Sequence, residues 1–359
     1  MIRLSRSDGL LTIAPGETPL VTDILAPLDA MVLEVVGGHL SWSVLDDRQL
    51  PAAVLDDPEA AQEWLWAVYG ENVAIAVADG VDGEIAAESV RPELVAALRR
   101  LAYAHWASRW WPASTVDDIP ALDPLLLDEE IGQLSEMCEM VLADSELLSL
   151  TPSDGDGPID NSAELSPRRI AGPEASSQQP RPVFESSTRA DDYALAAGGK
   201  QPGDGLIVAH GSGDWDWRRC PPGILDAGAE ALSWTVTRTS GISTARVTVV
   251  AAPDCPRHIP EHLRPHVRLD TDNRTAAADT AELHLRTDSW SAEIQLPESA
   301  ETFTTLTVFV PGLGPATTYP DESAMRARIR DFARGRLTGQ AGDHLLAAES
   351  AAAESDDDF

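Results

Sequence analysis

Potential metal ligands lie close together in the second half of this chain. In order along the sequence they are Cys255, His258, His262 and His266. Thiolate and imidazole bind Zn²⁺ in proteins, and a spacing of three or four residues stacks such ligands on one face of a helix. Pro256, Pro260 and Pro265 argue against a continuous helix, because proline removes a backbone donor and clashes with the preceding turn. The segment therefore has two interpretations: a zinc site, or a proline-rich connection between strands whose histidines are solvated.

The segment 210–217 contains the residue types of a hydrolytic triad. They are His210, Ser212 and Asp214. A triad needs its members within hydrogen-bond distance of one another, and side chains this close in sequence rarely reach that arrangement. The Gly-x-Ser-x-Gly turn that exposes the nucleophile of one large hydrolase class is also absent. We therefore predict a structural loop, in which Asp214 and Asp216 cap a turn and Trp215 and Trp217 anchor it.

Other common catalytic signatures are missing from the sequence. The segment Gly312-Leu-Gly314 lacks the Gly-Lys-Ser/Thr end of a phosphate-binding loop. No Gly-x-Gly-x-x-Gly fingerprint of dinucleotide binding follows a predicted strand, and neither His-Glu-x-x-His nor Cys-x-x-Cys occurs. These observations argue against the commonest enzyme classes but do not exclude an enzyme.

Aromatic and cationic residues cluster at the end of a predicted helix. They are Trp106, Arg109, Trp110 and Trp111. Tryptophan and arginine are enriched among the residues that contribute most to protein–protein binding. Tryptophan is also highly buried on average, so the alternative interpretation is that this corner fills a core. If this tryptophan-rich corner is exposed in the folded protein, it is the first candidate for an interaction surface.

The elements that must position these residues fall into two modules. Residues 1–142 predict an α+β module that bears the tryptophan cluster, because both helical and alternating apolar patterns occur there. Its predicted strands lie at 10–14, 31–36, 41–45 and 72–78, and its predicted helices at 58–69, 92–110 and 124–142.

Residues 206–338 predict a mostly-β, antiparallel sandwich-like module with a C-terminal helix. Its predicted hairpins pair 231–238 with 245–251 and 281–286 with 290–296, and a further strand lies at 303–310.

Two polar segments complete the predicted organisation. Residues 143–205 are rich in Ser, Pro, Gly and acidic residues without sustained periodicity, which predicts a flexible linker. Residues 339–359 are Ala-rich and then acidic, which predicts a disordered tail. The fold class is therefore an α+β module and a mostly-β module joined by a disordered linker.

Arginines are concentrated on the predicted C-terminal helix. They are Arg326, Arg328, Arg330, Arg334 and Arg336. Spacings of four residues place Arg326, Arg330 and Arg334 on one face. Such a face could meet an acidic partner or a phosphate. In so acidic a chain we favour the interpretation that it neutralises the protein's own carboxylates.

The overall charge limits the classes of partner. The 359 residues carry a formal net charge of -33 at pH 7, which repels nucleic acid phosphates and anionic membranes. No direct nucleic acid binding and no membrane association are therefore expected, and basic partners are favoured. The 3 widely spaced cysteines do not resemble a disulfide framework, and neither a signal peptide nor a membrane span is recognisable. We predict a bacterial, cytoplasmic location, with the bacterial origin inferred from an Ala-rich composition with Lys200 as the lone lysine.

The leading hypothesis is a non-catalytic accessory or scaffold protein without a cofactor. Two modules on one tether could bring partners together by raising their effective concentration, and the partner would present a basic or apolar patch. One alternative is a metal-dependent hydrolase that uses zinc at the Cys/His cluster. A second alternative is an acidic inhibitor that mimics nucleic acid.

Overall fold

The computed structural model describes residues 1–16, 20–22, 26–48, 50–149, 206–270, 279–296, 303–314, 322–339 and 345–356. They form an N-terminal α+β region and a C-terminal region of antiparallel sheets followed by a helix, which confirms the predicted fold class for these parts. Of the predicted linker at 143–205, residues 143–149 instead continue the helix Pro124–Ser149, and those from position 150 onward lie outside the described residues. The described residues before and after it belong to one compact unit.

An antiparallel sheet forms the base of the N-terminal region. Its described strands are β1 Ile2–Ser7, β2 Leu10–Ala14, β3 Ala30–Val35, β4 Gly38–Ser43, β5 Ala52–Leu55 and β6 Gly83–Ile85. They are arranged in the order β3-β4-β5-β2-β1-β6. Alternation turns Ile2 and Leu4 of β1 into the core, as the two-residue period of a strand requires. The sequence pattern predicted β2, β3 and β4 but missed β1, β5 and β6, of which the last two are short.

Helices cover this sheet. In the described N-terminal residues they are α1 Gln62–Tyr69, α2 Glu71–Ala78, α3 Pro92–Trp110 and α4 Pro124–Ser149. Helix α3 has the predicted bounds, whereas the prediction of a strand at 72–78 is wrong, because this segment forms α2. Val73, Ala76 and Val77 lie at helical spacing and are buried, and burial along that stripe outweighs the β propensity of valine and isoleucine.

The C-terminal region is built from antiparallel strands. Those described are β7 Leu206–Gly213, β8 Leu232–Thr239, β9 Ile242–Val250, β10 His266–Asp270, β11 Asp279–Glu282, β12 His284–Arg286, β13 Ser289–Gln295 and β14 Thr305–Phe309. They form sheets with the orders β12-β13-β9-β8-β7 and β11-β10-β14. The hairpin of 231–238 with 245–251 is confirmed by the pairing of β8 with β9. Of the predicted strand 281–286, residues 284–286 pair with β13 as predicted, whereas 281–282 belong to β11 and pair with β10. Ser240 (φ 53°) and Gly241 (φ 87°) form the tight turn between β8 and β9, where positive φ suits the twist of a hairpin.

The chain after the sheets forms α5 Glu322–Leu337 and α6 Ala347–Asp356. Helix α6 differs from the predicted disordered tail at 339–359. Its Glu349 is fully buried and accepts hydrogen bonds from the Tyr103 hydroxyl (2.5 Å) and from Nε of Arg336 (2.8 Å). The composition of the tail gave no sign of this docking, because the groups that hold Glu349 belong to other elements.

Candidate functional site

Asp226 joins the loop after α3 to the C-terminal region. Its side chain is fully buried, and its carboxylate accepts hydrogen bonds from the Ser114 hydroxyl (2.6 Å), the Thr115 N–H (2.7 Å) and the Thr115 hydroxyl (3.0 Å). The next residue, Ala227, donates its N–H to the Ala113 carbonyl (3.1 Å). A buried carboxylate is tolerated only where such donors satisfy it, so this network fixes the loop in one position.

Trp106 belongs to the hydrophobic core. It is 3% exposed, its indole N–H donates to the Leu28 carbonyl (2.8 Å), and its ring stacks on Tyr103 at 5.9 Å between centroids. Phe332 of α5 contacts the same ring edge-on at 6.2 Å. Trp106 was one of the predicted interaction residues, but it packs between helices in the core and is not available to a partner.

The remaining residues of the predicted corner form one wall of a cleft. Trp110 and Trp111 are half-buried, and Arg109 is exposed. The Arg109 guanidinium lies 5.1 Å from the centre of the Trp110 ring, a cation–π contact. The Trp111 indole N–H donates to the Pro120 carbonyl (2.9 Å), which fixes the orientation of that ring.

The opposite wall comes from the segment after β7. Trp215 and Trp217 are both buried, as the predicted anchoring of this loop requires. The Trp215 indole N–H donates to the Asp226 carbonyl (2.7 Å). The Trp217 indole N–H is buried without a hydrogen-bond partner among the described residues, and the Arg330 guanidinium lies 5.7 Å from the centre of that ring. A buried donor without an acceptor is costly, so Trp217 holds an unused hydrogen-bonding capacity beside the cleft.

We call the space between these walls the tryptophan cleft and define it by Arg109, Trp110, Trp111, Trp215, Trp217 and Cys220. Its volume is about 40 Å³. Sites for small molecules typically measure roughly 300–1,000 Å³. The cleft is therefore suited to one inserted side chain of a larger partner rather than to a whole small substrate.

Arginines of α5 hold the second wall against the rest of the unit. Arg326 makes a bidentate pair with Asp214, with both N–O distances at 2.8 Å. Arg330 lies 3.4 Å from Asp117 and donates to the Ala227 carbonyl at 3.1 Å. These buried pairs confirm that the arginine face neutralises the protein's own carboxylates. Asp214, predicted to cap a turn, is instead the partner of Arg326.

Further charges are packed around the segment that carries Trp217. Asp216 accepts a hydrogen bond from the Arg218 N–H (3.1 Å), as predicted for a cap, and pairs with Arg219 at 3.0 Å. The Glu322 side chain is buried with one oxygen 2.8 Å from Nη1 of Arg218. Burial, and then repulsion from Asp216, raise the pKa of Glu322 above its ordinary value. The second wall is thus held by charges rather than by apolar packing alone.

The thiol in the cleft is not activated. Cys220 is buried, and burial raises its pKa to about 12. Because the thiolate is the nucleophilic form of cysteine, such a pKa leaves a small apolar side chain at neutral pH. Cys138 of α4 is likewise buried in the core, and burial raises its pKa to about 11.

The triad residue types do not form a hydrogen-bonded set. His210 and Ser212 are exposed on β7, while the Asp214 carboxylate is engaged by Arg326. Within the described part of the chain, no hydrogen bond joins His210, Ser212 and Asp214. The prediction of a loop is wrong for residues 210–213, which form the end of β7 and pair with β8, because the exposed alternation there carries too few apolar residues to indicate a strand.

The potential zinc ligands are spread along the connection from β9 to β10. Cys255 is half-buried and burial raises its pKa, whereas His258 and His262 are exposed. His266 lies on β10 and donates from Nδ1 to the Arg264 carbonyl (3.1 Å). Across the residues that the structure describes, no group of three or more His, Cys, Asp or Glu side chains is placed to hold a metal ion.

Sequence reasoning found the wall that contains Arg109, Trp110 and Trp111 but assigned Trp215 and Trp217 to loop packing alone. Each of the two segments contains two tryptophans close together, and this recurrence could have suggested that both segments line the same site. Sequence spacing could not show that both segments line one cleft, because only the folded chain brings them together.

Comparisons of the chain with protein-family models, with curated proteins and with solved structures find no match. In the described part of the chain, no helix combines the length and apolar character needed to cross a membrane.

Proposed function

We propose that this protein is a non-catalytic accessory protein that binds a partner protein through the tryptophan cleft. The observation that carries the proposal is the convergence of Trp110, Trp111, Trp215 and Trp217 with Arg109 on one accessible cleft. Tryptophan and arginine contribute most to binding where they meet a partner in a pocket from which water is excluded. The unactivated Cys220 thiol supports binding rather than nucleophilic catalysis.

The proposed occupant is an extended, proline-containing segment of the partner. Proline-rich segments dock into aromatic-lined grooves, because they are already extended and lose little entropy on binding. A volume of about 40 Å³ admits only the edge of a proline ring, so the rest of the segment would lie across the mouth of the cleft. A small shift of the wall would also let the Trp217 N–H donate to a carbonyl of that segment, which would relieve its buried, unpaired state.

Basic residues on either side of that segment would complement the acidic chain. A net charge of -33 attracts cationic partners and speeds their association, and this effect weakens as salt is added. The apolar contact in the cleft would instead govern dissociation. A reducing, cytoplasmic location belongs to the same proposal and is supported by an odd number of widely spaced cysteines.

The test is calorimetric titration of the full chain with synthetic peptides. The peptides carry an apolar proline-containing core with arginine flanks, and matched peptides replace each proline by alanine. We expect binding of the proline peptides, weakened by more than about tenfold in Trp110→Ala, as for a tryptophan at the centre of an interface. Arg109→Glu is a second variant, because this exposed side chain can be replaced without disturbing the core.

Trp66→Ala is the matched control, since Trp66 of α1 is also half-buried but does not line the cleft. Circular dichroism establishes that each variant is folded. The proposal fails if no proline peptide binds, if the alanine peptides bind equally well, or if Trp66→Ala weakens binding as much as Trp110→Ala. The metal-dependent hydrolase and the acidic nucleic acid mimic stay predictions from the sequence.

A further inference from the structure

A second and larger pocket opens in the C-terminal region, among residues that do not line the tryptophan cleft. We call it the basic pocket and define it by Arg257, His258, Arg264, Glu282, His284 and Trp290. Its volume is about 260 Å³, close to the lower limit of small-molecule sites. It lies where the connection from β9 to β10 crosses the ends of β11 and β12. The Leu283 N–H donates to the Pro265 carbonyl (2.8 Å) and ties this connection to the strands.

The lining charge of the basic pocket is opposite in sign to that of the whole chain. Arg264 is paired with Glu282 at 3.0 Å. Arg257 and His258 are exposed, and neither has a hydrogen bond or ion pair with any described residue. Two arginines and one glutamate leave a formal charge of +1 with the histidines neutral, in a chain whose net charge is -33. A localised cationic site on an acidic surface selects for anionic ligands through short-range contacts, because long-range attraction is absent.

The inner side of the basic pocket is apolar and rigid. Leu283 is fully buried, Trp290 is 3% exposed and Ile259 is 8% exposed. The Trp290 indole N–H donates to the Ile224 carbonyl (3.1 Å), which fixes the ring orientation. A ligand in this pocket would therefore place an apolar body against Trp290 and an anionic group toward Arg257.

We propose that the basic pocket binds a carboxylate that carries an apolar body. The planar guanidinium of Arg257 matches a carboxylate through two parallel hydrogen bonds, and His258 can add a further donor. A single negative charge balances the lining charge of +1, which favours a carboxylate over a dianionic phosphate. Both a free aryl or alkyl acid and the C-terminal carboxylate of a peptide have this chemistry.

The experiment titrates the full chain with benzoate, with an acetylated tripeptide that ends in leucine, with the C-terminal amide of that tripeptide and with inorganic phosphate. We expect saturable binding of at least one acid and none of the amide. Tighter binding of benzoate assigns a free acid as the ligand, and tighter binding of the peptide acid assigns a peptide C-terminus. Saturable binding of phosphate without either acid, or of the amide as tightly as the acid, overturns the proposal.

Variants locate the binding in this pocket. Arg257→Ala should weaken the acid by roughly tenfold or more, as expected for the loss of a charge-assisted hydrogen bond. Arg286→Ala is the matched control, because Arg286 is an exposed arginine of β12 that does not line the pocket. Glu282→Gln should instead tighten binding, since it frees Arg264 and removes a repelling charge. Equal effects of Arg257→Ala and Arg286→Ala, or no saturable binding of either acid, would overturn the proposal.

Discussion

The interior of the N-terminal sheet is held together by different forces from the buried polar contacts that Asp226 and the arginines of α5 make. We call this network of polar contacts the seam. Leu40 and Trp42 of β4 are almost fully buried among other apolar side chains, and their packing is non-directional. Arg326 and Asp214 at the seam are also largely buried, but they satisfy one another through directed, charged hydrogen bonds. Buried ion pairs add little net stability compared with apolar packing, although the loss of one partner is costly. The seam is therefore the more selective and the more fragile region.

This difference matters for the tryptophan cleft, because its walls come from the two sides of the seam. Trp110 and Trp111 belong to the N-terminal side. Trp217 belongs to a segment whose position is held by Asp216 and by the arginines of α5. Apolar packing of α5 against Trp106 and the charged contacts of the seam together join the two sides.

The largest expected effect is that of Asp226→Ala. This change removes the acceptor for Ser114 and Thr115 and should lower the free energy of unfolding by about 3 kcal/mol or more, because each buried donor that is left without an acceptor costs about 1–3 kcal/mol. Urea denaturation followed by tryptophan fluorescence measures it. Asp254→Ala, at an exposed acid, is the control. A loss below about 1 kcal/mol would mean that the seam contributes no more than surface polar contacts do.

A smaller and pH-dependent effect is expected for Glu322→Gln. The pKa of Glu322 is raised by burial, so folding favours its protonated form. Its contribution to stability is complete below the unfolded pKa and is lost as the pH rises through the raised folded pKa. Glutamine does not ionise, so the variant should gain stability relative to the natural chain as the pH increases above 4.5, the ordinary pKa of glutamate. Urea denaturation across that range measures the difference.

Two results would count against this account of Glu322. The stability difference between Glu322→Gln and the natural chain could stay constant with pH, or it could change in the opposite direction. The second result would mean that the attraction of Arg218 outweighs the burial of the carboxylate.

The smallest effect is expected at an exposed ion pair outside the seam. Arg246 and Glu293 bridge β9 and β13 with side chains that are 67% and 58% exposed. Arg246→Ala should change the free energy of unfolding by about 0.5 kcal/mol or less, because solvent and salt screen such pairs. A double-mutant cycle with Glu293→Ala measures the coupling. A coupling above about 1 kcal/mol would remove the contrast between surface pairs and the buried seam.

Sequence patterns predicted the elements whose signals are local. The apolar stripe and Pro92 set the bounds of α3, and Ser240-Gly241 predicted the hairpin between β8 and β9. The error at α2 has a local cause too, because a short run of Val, Ala and Ile satisfies both the strand and the helix pattern.

The same local reasoning predicted one of the two walls of the tryptophan cleft. Arg109, Trp110 and Trp111 are neighbours in sequence, and their types alone indicated a binding surface. The basic pocket was not predicted, because Arg257 and His258 face Glu282 and Trp290 only after the strands pair. His258 was instead considered as a zinc ligand, on the basis of spacing along one segment.

The sequence by itself determined helices such as α3 and α5, the hairpins and the acidic character of this protein, because periodicity, turn residues and charge act between near neighbours or over the whole chain. The tertiary structure alone decided that the regions on either side of the polar tract form one unit, that α6 docks through Glu349, and that the tryptophans converge. These features depend on directed contacts such as Asp226 with Ser114 and Arg326 with Asp214, whose partners are far apart in sequence. Many acids and arginines could have paired, and only the packed backbone selects which of them meet.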